Sequence, residues 1–160
     1  MDGPGWNPKP QTTSKPLELL GRTEWAAQPP KWTDALDLPV NKLFLSATGR
    51  QTCYSVRVCT GELQRIQNFH MKIEMIPDIR YNFIIGGKGI VYEGRGWNVK
   101  PNLPKMYDSL ENKALFIGFT GDFRDPKIAV PPEMLEAMDL LIKLGIDYKY
   151  ISPDYETFDL

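Results

Sequence analysis

Short apolar runs along the chain alternate with longer amphipathic stretches, a pattern typical of strands interleaved with helices. Apolar runs bounded by turn-forming residues predict buried strands over residues 41–48, 81–85 and 114–120. A further strand is predicted over residues 90–93, after a glycine-rich turn at 86–89. Such a turn favours a hairpin between the two strands that it connects.

A helix is predicted over residues 59–75, where apolar residues such as Leu63 and Ile66 recur on one side. Thr60 is the expected N-cap, because a threonine hydroxyl accepts a hydrogen bond from a free N–H of the first turn. Residues 98–110 contain two prolines and are predicted to form a loop.

The clearest helical pattern covers residues 131–144. Prolines stand at its start, and Met134, Met138 and Leu141 form its apolar stripe. Gly145 is placed to end the helix. Strands separated by helices predict an α/β domain with a single central mixed β-sheet flanked by helices.

The chain has 160 residues, which is enough for one domain with a sizeable core. Its net charge of -1 gives no basic surface field, so nucleic acid is not an expected partner. Residues 1–17 are mostly polar and proline-rich and are predicted to be a tail or linker, which leaves residues 18–160 as the folded domain. Neither a membrane span nor a signal-peptide pattern is visible, so we expect any targeting segment to lie outside this chain.

The residues that could bind a metal or react are few. Cys53 and Cys59 are the only cysteines, and from their spacing alone a disulfide and two free thiols both remain open. His70 is the only histidine. A zinc site needs several converging ligands, so the simpler interpretation of His70 is a partly buried helix histidine.

The segment that follows the hairpin turn contains side chains that would suit stacking on a sugar or on a partner side chain. They are Tyr92, Arg95 and Trp97. The same residues would equally suit a structural corner. Ser46 does not lie in a nucleophile-elbow pattern, so a serine hydrolase is not expected. The residues by themselves therefore indicate an α/β binding domain and no reaction.

Residues 81–97, which read YNFIIGGKGIVYEGRGW, resemble the peptidoglycan recognition proteins of animal innate immunity, relatives of the phage-type zinc amidases. Further matches lie in order along the chain, at residues 22–29 (RTEWAAQP), at the cysteine pair, and at residues 67–71 (QNFHM), 78–79 (DI) and 116–123 (FIGFTGDF). The resemblance covers residues 18–160, and its hairpin motif is long and specific.

The resemblance implies a zinc-amidase-like fold, in which helices pack on a central mixed sheet and one face carries a groove for muropeptide stems. It also implies that Cys53 and Cys59 form the short disulfide that is typical of the family. A disulfide of this kind persists in oxidising compartments, so the domain is expected to be extracellular.

Catalytic members of the family hold zinc through two histidines and a cysteine, with a tyrosine nearby. This chain has Ala47 at the expected position of the first histidine and Leu160 at that of the second, and the cysteine would lie beyond Leu160. Tyr81 matches the tyrosine. The resemblance therefore implies that the domain has no zinc, no other cofactor and no amidase activity.

The ligand groove implied by the resemblance is interpreted as vestigial. Its residues in this chain are Thr48, His70, Glu74, Met75, Ile76 and Tyr81. His70 and Tyr81 are retained, whereas the segment 74–77, which sorts lysine-type from diaminopimelate-type stems in the family, fits neither type. Glu74 is also expected to repel the carboxylates of a stem peptide.

After Trp97 the sequence departs from the family, and additional residues at 105–112 are expected at the wall of the groove. Apolar and aromatic residues of this region are candidate contacts to a partner or to the edge of its ligand. They are Trp97, Leu103, Met106 and Tyr107. The alternative for each of them is that it packs the domain's own loop.

The resulting hypothesis is a non-catalytic innate-immune receptor ectodomain, similar to the long membrane-bound type of insects, that acts as a co-receptor. It would form a heterodimer with a second peptidoglycan recognition domain and contact the muropeptide through that partner, so the ligand would strengthen the association. A decoy or negative regulator and a direct peptidoglycan sensor with a remodelled groove remain as alternatives. A secreted protein is the alternative to a membrane-bound receptor.

Overall fold

The computed structural model describes residues 16–124 and 128–160. Within these residues the elements in chain order are β1 (Leu19–Leu20), β2 (Val40–Ala47), α1 (Val56–Lys72), β3 (Phe83–Ile85), β4 (Val91–Glu93), a 3-10 helix (Lys105–Lys113), β5 (Ala114–Phe119), α2 (Pro132–Asp147) and β6 (Ile151–Asp159). The six strands form one sheet with the order β1-β4-β3-β5-β2-β6. β3 and β4 make an antiparallel hairpin, and the other neighbouring pairs are parallel, which confirms the predicted mixed sheet.

The two helices cover opposite faces of the sheet. Side chains alternate along each strand, so one strand can contribute to the core under both helices. On β2, Phe44 packs into the core that α1 completes through Leu63. Leu43 and Leu45 point the other way and pack into the cores that α2 completes. We call these two sides of the sheet the α1 face and the α2 face.

α1 begins at Val56, earlier than the predicted position. The hydroxyl of Ser55 accepts a hydrogen bond from the backbone N–H of Val58 at 3.2 Å, so Ser55 is the N-cap and the assignment of Thr60 was wrong. The helix ends at Lys72, and Met75 has a positive φ of 61°, which prevents the helix from extending to residue 75 as predicted.

α2 extends to Asp147, so the prediction that Gly145 ends the helix was wrong. Gly145 is needed for close packing instead. A Cβ atom at this position would lie 2.5 Å from Cδ1 of Ile151 and 2.9 Å from the ring of Trp97. The absent side chain thereby lets the first residue of β6 pack directly against the helix.

Three elements had not been predicted, and the first, β1, pairs only Leu19 and Leu20 with β4. β6 spans nine residues but only Ile151 is buried, because β6 is an edge strand and carries no apolar run. The region predicted as a loop over residues 98–110 contains the start of the 3-10 helix. Tyr107 and Leu110 of this helix pack against the core of the α1 face.

The disulfide between Cys53 and Cys59 is present, as the family resemblance implied. It joins the segment before α1 to the first turn of the helix, and both cysteines are buried. Most of the predicted tail, residues 1–15, lies outside the described residues, and Leu17 packs against the α2 face. In the described part of the chain, the helices are too short or too polar to cross a membrane.

Candidate functional site

The candidate site lies on the α1 face, near the carboxyl ends of β2, β5 and β6. Ser46 of β2 is in register with Gly118 of β5, and both follow in-register phenylalanines by two residues. The ring of Tyr81 lies directly on Gly118, where a Cβ atom would come within 3.0 Å of the ring carbons. Ser46, Gly118 and Tyr81 thus form the floor of the site, and Gly118 is required for Tyr81 to lie this close to the sheet.

His70, on the last turn of α1, faces Tyr81 with 6.0 Å between the ring centres. Its Nδ1 accepts a hydrogen bond from the backbone N–H of Arg80 at 3.1 Å. Burial lowers the pKa of His70 to about 4, so the ring is neutral at physiological pH and carries its proton on Nε2. Burial raises the pKa of Tyr81 to about 12, so the phenol also stays neutral. The pair offers hydrogen bonds to a ligand and no charge.

The residues at the two expected histidine positions do not lie on the same face of the sheet. The register pairs Ala47 with Phe119, whose side chain belongs to the α2 face. Leu160 follows Phe158 of the α1 face by two residues. Ala47 and Leu160 were predicted to stand at the two histidine positions, but ligands of one ion must point to one side of a sheet, and these two residues do not.

Ser46 is the β2 residue that lies beside Leu160 on the α1 face. Leu45 is in register with Asp159, so the next pair along the two strands is Ser46 and Leu160. A serine hydroxyl and a leucine side chain do not fit a zinc ion, which takes thiolate, imidazole or carboxylate ligands. Among the described residues, no group of three His, Cys, Asp or Glu side chains is placed to hold a metal ion.

The segment after α1 is held by an ion pair that sequence reasoning missed. Glu74 binds the guanidinium of Arg80, with Oε1 at 2.8 Å from Nη2 and 2.9 Å from Nε. Arg80 offsets the charge of Glu74, which weakens the repulsion of ligand carboxylates expected from Glu74 alone. Met75 is 69% exposed, and the backbone N–H of Ile76 donates to the carbonyl of His70. Thr48 lies at the end of β2, where its hydroxyl accepts from Gly121.

Two of the four predicted partner contacts belong to the domain's own core. Leu103 is 3% exposed and packs on the α1 face. Trp97 stacks on Tyr150 at 4.8 Å and packs against the α2 face, so neither side chain is free for a partner. Tyr107 is half-buried against Phe44, whereas Met106 is 79% exposed. Apolar residues near a loop look alike in the sequence whether they pack inward or outward.

Arg95 is a structural residue. Its guanidinium donates to the carbonyls of Ile79 at 2.6 Å and Lys100 at 2.7 Å. A further bond of 2.6 Å reaches the side-chain oxygen of Asn102. Burial lowers the pKa of Arg95 to about 10, which still leaves it charged at neutral pH. Of the two interpretations of the Tyr92, Arg95 and Trp97 group, the structural corner is the one that these contacts support.

Asn82, at the foot of the hairpin, was also missed. Its amide donates to the carbonyls of Gly96 and Val99 at 2.9 and 2.7 Å, and its oxygen accepts from the backbone N–H of Phe116 at 2.8 Å. The side chain is fully buried and joins β5 to the loop after β4. Its position inside the YNF motif was the only signal in the sequence.

The fold and this face define an α/β domain of the zinc-amidase-like class. No family model matches the chain. Peptidoglycan-recognition protein SC1a of Drosophila melanogaster is 30% identical over 145 residues, which cover 91% of this chain and 76% of the relative. The chain therefore belongs to the peptidoglycan recognition protein family.

Two solved structures are similar over nearly the same residues. The first is the complex of tracheal cytotoxin with the ectodomains of peptidoglycan recognition proteins LCa and LCx, with a TM-score of 0.83, 33% identity, and coverage of 89% of this chain and 84% of that chain. The second is the ectodomain of the Drosophila transmembrane receptor PGRP-LCa, with a TM-score of 0.80, 30% identity, and coverage of 88% and 83%.

Proposed function

We propose that this domain recognises bacterial cell wall as a non-catalytic receptor domain. The observation that carries the proposal is the pair Ser46 and Leu160, which occupy neighbouring positions at the floor and supply no zinc ligand. Without a metal-bound water, the face has no nucleophile for an amide bond. Its neutral His70 and Tyr81 can form hydrogen bonds with a ligand.

The absence of amidase activity is tested with the purified domain and polymeric peptidoglycan. We expect no release of stem peptides and no zinc retained after dialysis, with an amidase of the family as the positive control. Stoichiometric zinc together with released stems would overturn the non-catalytic assignment.

We further propose that the domain acts as a co-receptor, which binds a second recognition domain that already holds a muropeptide. The solved complex of LCa and LCx with tracheal cytotoxin is a precedent for two such domains around one ligand. In this chain, the Arg80–Glu74 ion pair and the 3-10 helix lie beside the floor of the site, on the α1 face. The exposed Met106 beside this region is available to contact the loaded partner, as apolar anchors do in interfaces.

Sedimentation velocity tests the pairing. The domain is mixed at tens of micromolar with a muropeptide-binding recognition domain of the same organism, with and without a disaccharide-tetrapeptide. A ligand completing the interface strengthens association, so we expect a heterodimer that forms more strongly with ligand. A mixture that stays monomeric in both conditions would exclude the co-receptor function.

A direct sensor is the second candidate, and it is favoured by one observation. His70 and Tyr81 remain side by side at the floor with hydrogen-bonding atoms available to a ligand. Calorimetric titration of the domain alone with the disaccharide-tetrapeptide decides between the two functions. We expect no saturable heat at low micromolar ligand, and a clear isotherm would establish the direct sensor instead.

We place the domain outside the cell, as the ectodomain of a membrane-bound receptor. The buried disulfide of Cys53 and Cys59 supports an oxidising compartment, and the transmembrane receptor PGRP-LCa has an ectodomain of the same fold. The matching test is surface biotinylation of the full-length protein in cells. Labelled protein is expected in the membrane fraction, and recovery from the medium alone would make the protein secreted.

A further inference from the structure

Arg80 connects the two segments that flank the floor of the site. One edge of its guanidinium binds Glu74, in the segment that follows α1. The other edge, Nη1, lies 3.3 Å from the carbonyl of Asn102 and 3.5 Å from that of Leu103, in the loop after β4. A single side chain therefore spans the space between α1 and the loop, and we call this arrangement the Arg80 clasp.

The clasp lies next to the groove residues and not at a remote surface. Arg80 directly precedes Tyr81, and its backbone N–H binds Nδ1 of His70. Oε1 of Glu74 is 4.0 Å from Nε2 of His70, so the carboxylate lies next to the ring atom that can donate to a ligand.

The two groove side chains that the clasp adjoins are almost covered. His70 is 7% exposed and Tyr81 is 6% exposed. Arg80 reaches from Glu74 on one side of them to the carbonyl of Asn102 on the other. A stem peptide would therefore have to displace the clasp to reach His70 and Tyr81.

We propose that Arg80 is the residue that determines ligand specificity in this groove, by closing it to muropeptide stems. The inference rests on the proposed co-receptor function, in which this domain does not hold the muropeptide itself. An arginine that bridges two segments and binds a carboxylate with two nitrogens is held in place more firmly than a free surface side chain. A ligand must break these bonds and leave Glu74 without its partner, and this cost lowers the affinity.

The test compares Arg80→Ala with Arg65→Ala by calorimetric titration with disaccharide-tetrapeptides of the lysine and diaminopimelate types. Arg65 is the matched control, because it is an exposed arginine on α1 that pairs with Glu62. We expect Arg80→Ala to bind at least one stem type tenfold or more tightly than Arg65→Ala. A gain of binding is informative, because a variant that merely loses structure loses affinity.

The proposed role of Arg80 is refuted if Arg80→Ala is folded by circular dichroism and its affinity for both stem types equals that of Arg65→Ala. If Arg80→Ala fails to fold, Glu74→Ala breaks the same bridge from its exposed end and carries the same expectation. The unsubstituted domain tests the proposed function separately. If it already binds muropeptide, the co-receptor premise is wrong, while the difference between the two variants still decides the role of Arg80.

Discussion

The backbone N–H of Leu160 donates to the carbonyl of Leu45 at 2.8 Å, which extends the pairing of β6 with β2 to the last residue of the chain. This bond places Leu160 beside Ser46 on the α1 face. In a parallel pair, residues in register point to the same side of the sheet, so these two positions converge and Ala47 does not. The register therefore puts Ser46, and not Ala47, next to Leu160, the predicted position of the second histidine.

We expect the double variant Ser46→His/Leu160→His to acquire a zinc site. Two imidazoles on adjacent strands at one face can reach a common ion, which they bind more weakly than the three protein ligands of a complete site would. Binding to the folded state alone raises stability by roughly 2.7 kcal/mol at a hundredfold excess over Kd. The measurement is the Tm of the variant with and without zinc chloride, and a rise of several degrees is expected.

The matched control is Ala47→His/Leu160→His, which carries the same number of histidines but on opposite faces. Its Tm is expected to respond to zinc no more than that of the unsubstituted domain. A larger response from this control than from the Ser46 variant would show that the assignment of the faces is wrong.

Stability is expected to fall as the pH decreases from about 6.5 to 4, because of His70. The unfolded chain binds this proton near pH 6.5, whereas burial keeps the folded ring neutral down to about 4. The unfolded state therefore binds more protons in this window, and acid favours it. Between pH 7.5 and 4.5, His70 should contribute a loss of about 2–3 kcal/mol.

The contribution of His70 is isolated by urea unfolding of the unsubstituted domain and of His70→Gln at both pH values. Glutamine keeps a hydrogen-bond acceptor for Arg80 but does not titrate. The carboxylates contribute equally to both proteins, so the variant should lose less stability at pH 4.5. Identical losses would mean that His70 is not the responsible group.

Removal of the disulfide by Cys53→Ser/Cys59→Ser is expected to lower the free energy of unfolding. The bridge closes a loop with a sequence separation of 6, for which the loop-closure relation predicts about 2 kcal/mol. The buried serine hydroxyls add to the loss, since both positions are shielded from water. Urea unfolding of the unsubstituted domain and of the double variant provides the comparison, and equal midpoints would contradict the expectation.

Asn82→Ala is expected to destabilise the domain by about 3 kcal/mol, because it leaves two carbonyls and one N–H buried without partners. Asn68→Ala is the control, since Asn68 is exposed on α1 and its substitution should change stability by less than about 0.5 kcal/mol. Chemical denaturation of both variants gives the two values. Similar midpoints for the two would argue against the bridging role of Asn82.

The strands with the strongest apolar runs could be predicted from the sequence, because burial on both faces leaves a continuous apolar signal. This holds for β5 and for the hairpin of β3 and β4. β6 could not be predicted, since an edge strand exposes most of its side chains. The start of α1 was missed because the apolar spacing is weak in the first turn. The helix begins there because of its N-cap, Ser55.

The sequence alone determined the family of this protein through its hairpin motif, and the family resemblance implied the disulfide. Only the tertiary structure decided that Ser46, and not Ala47, lies beside Leu160. Strand register joins residues more than a hundred positions apart, and a shift of one residue reverses every side chain. The tertiary structure likewise pairs Arg80 with Glu74 and stacks Trp97 on Tyr150. Such contacts depend on which segments the folded sheet brings together, and local sequence patterns do not encode that proximity.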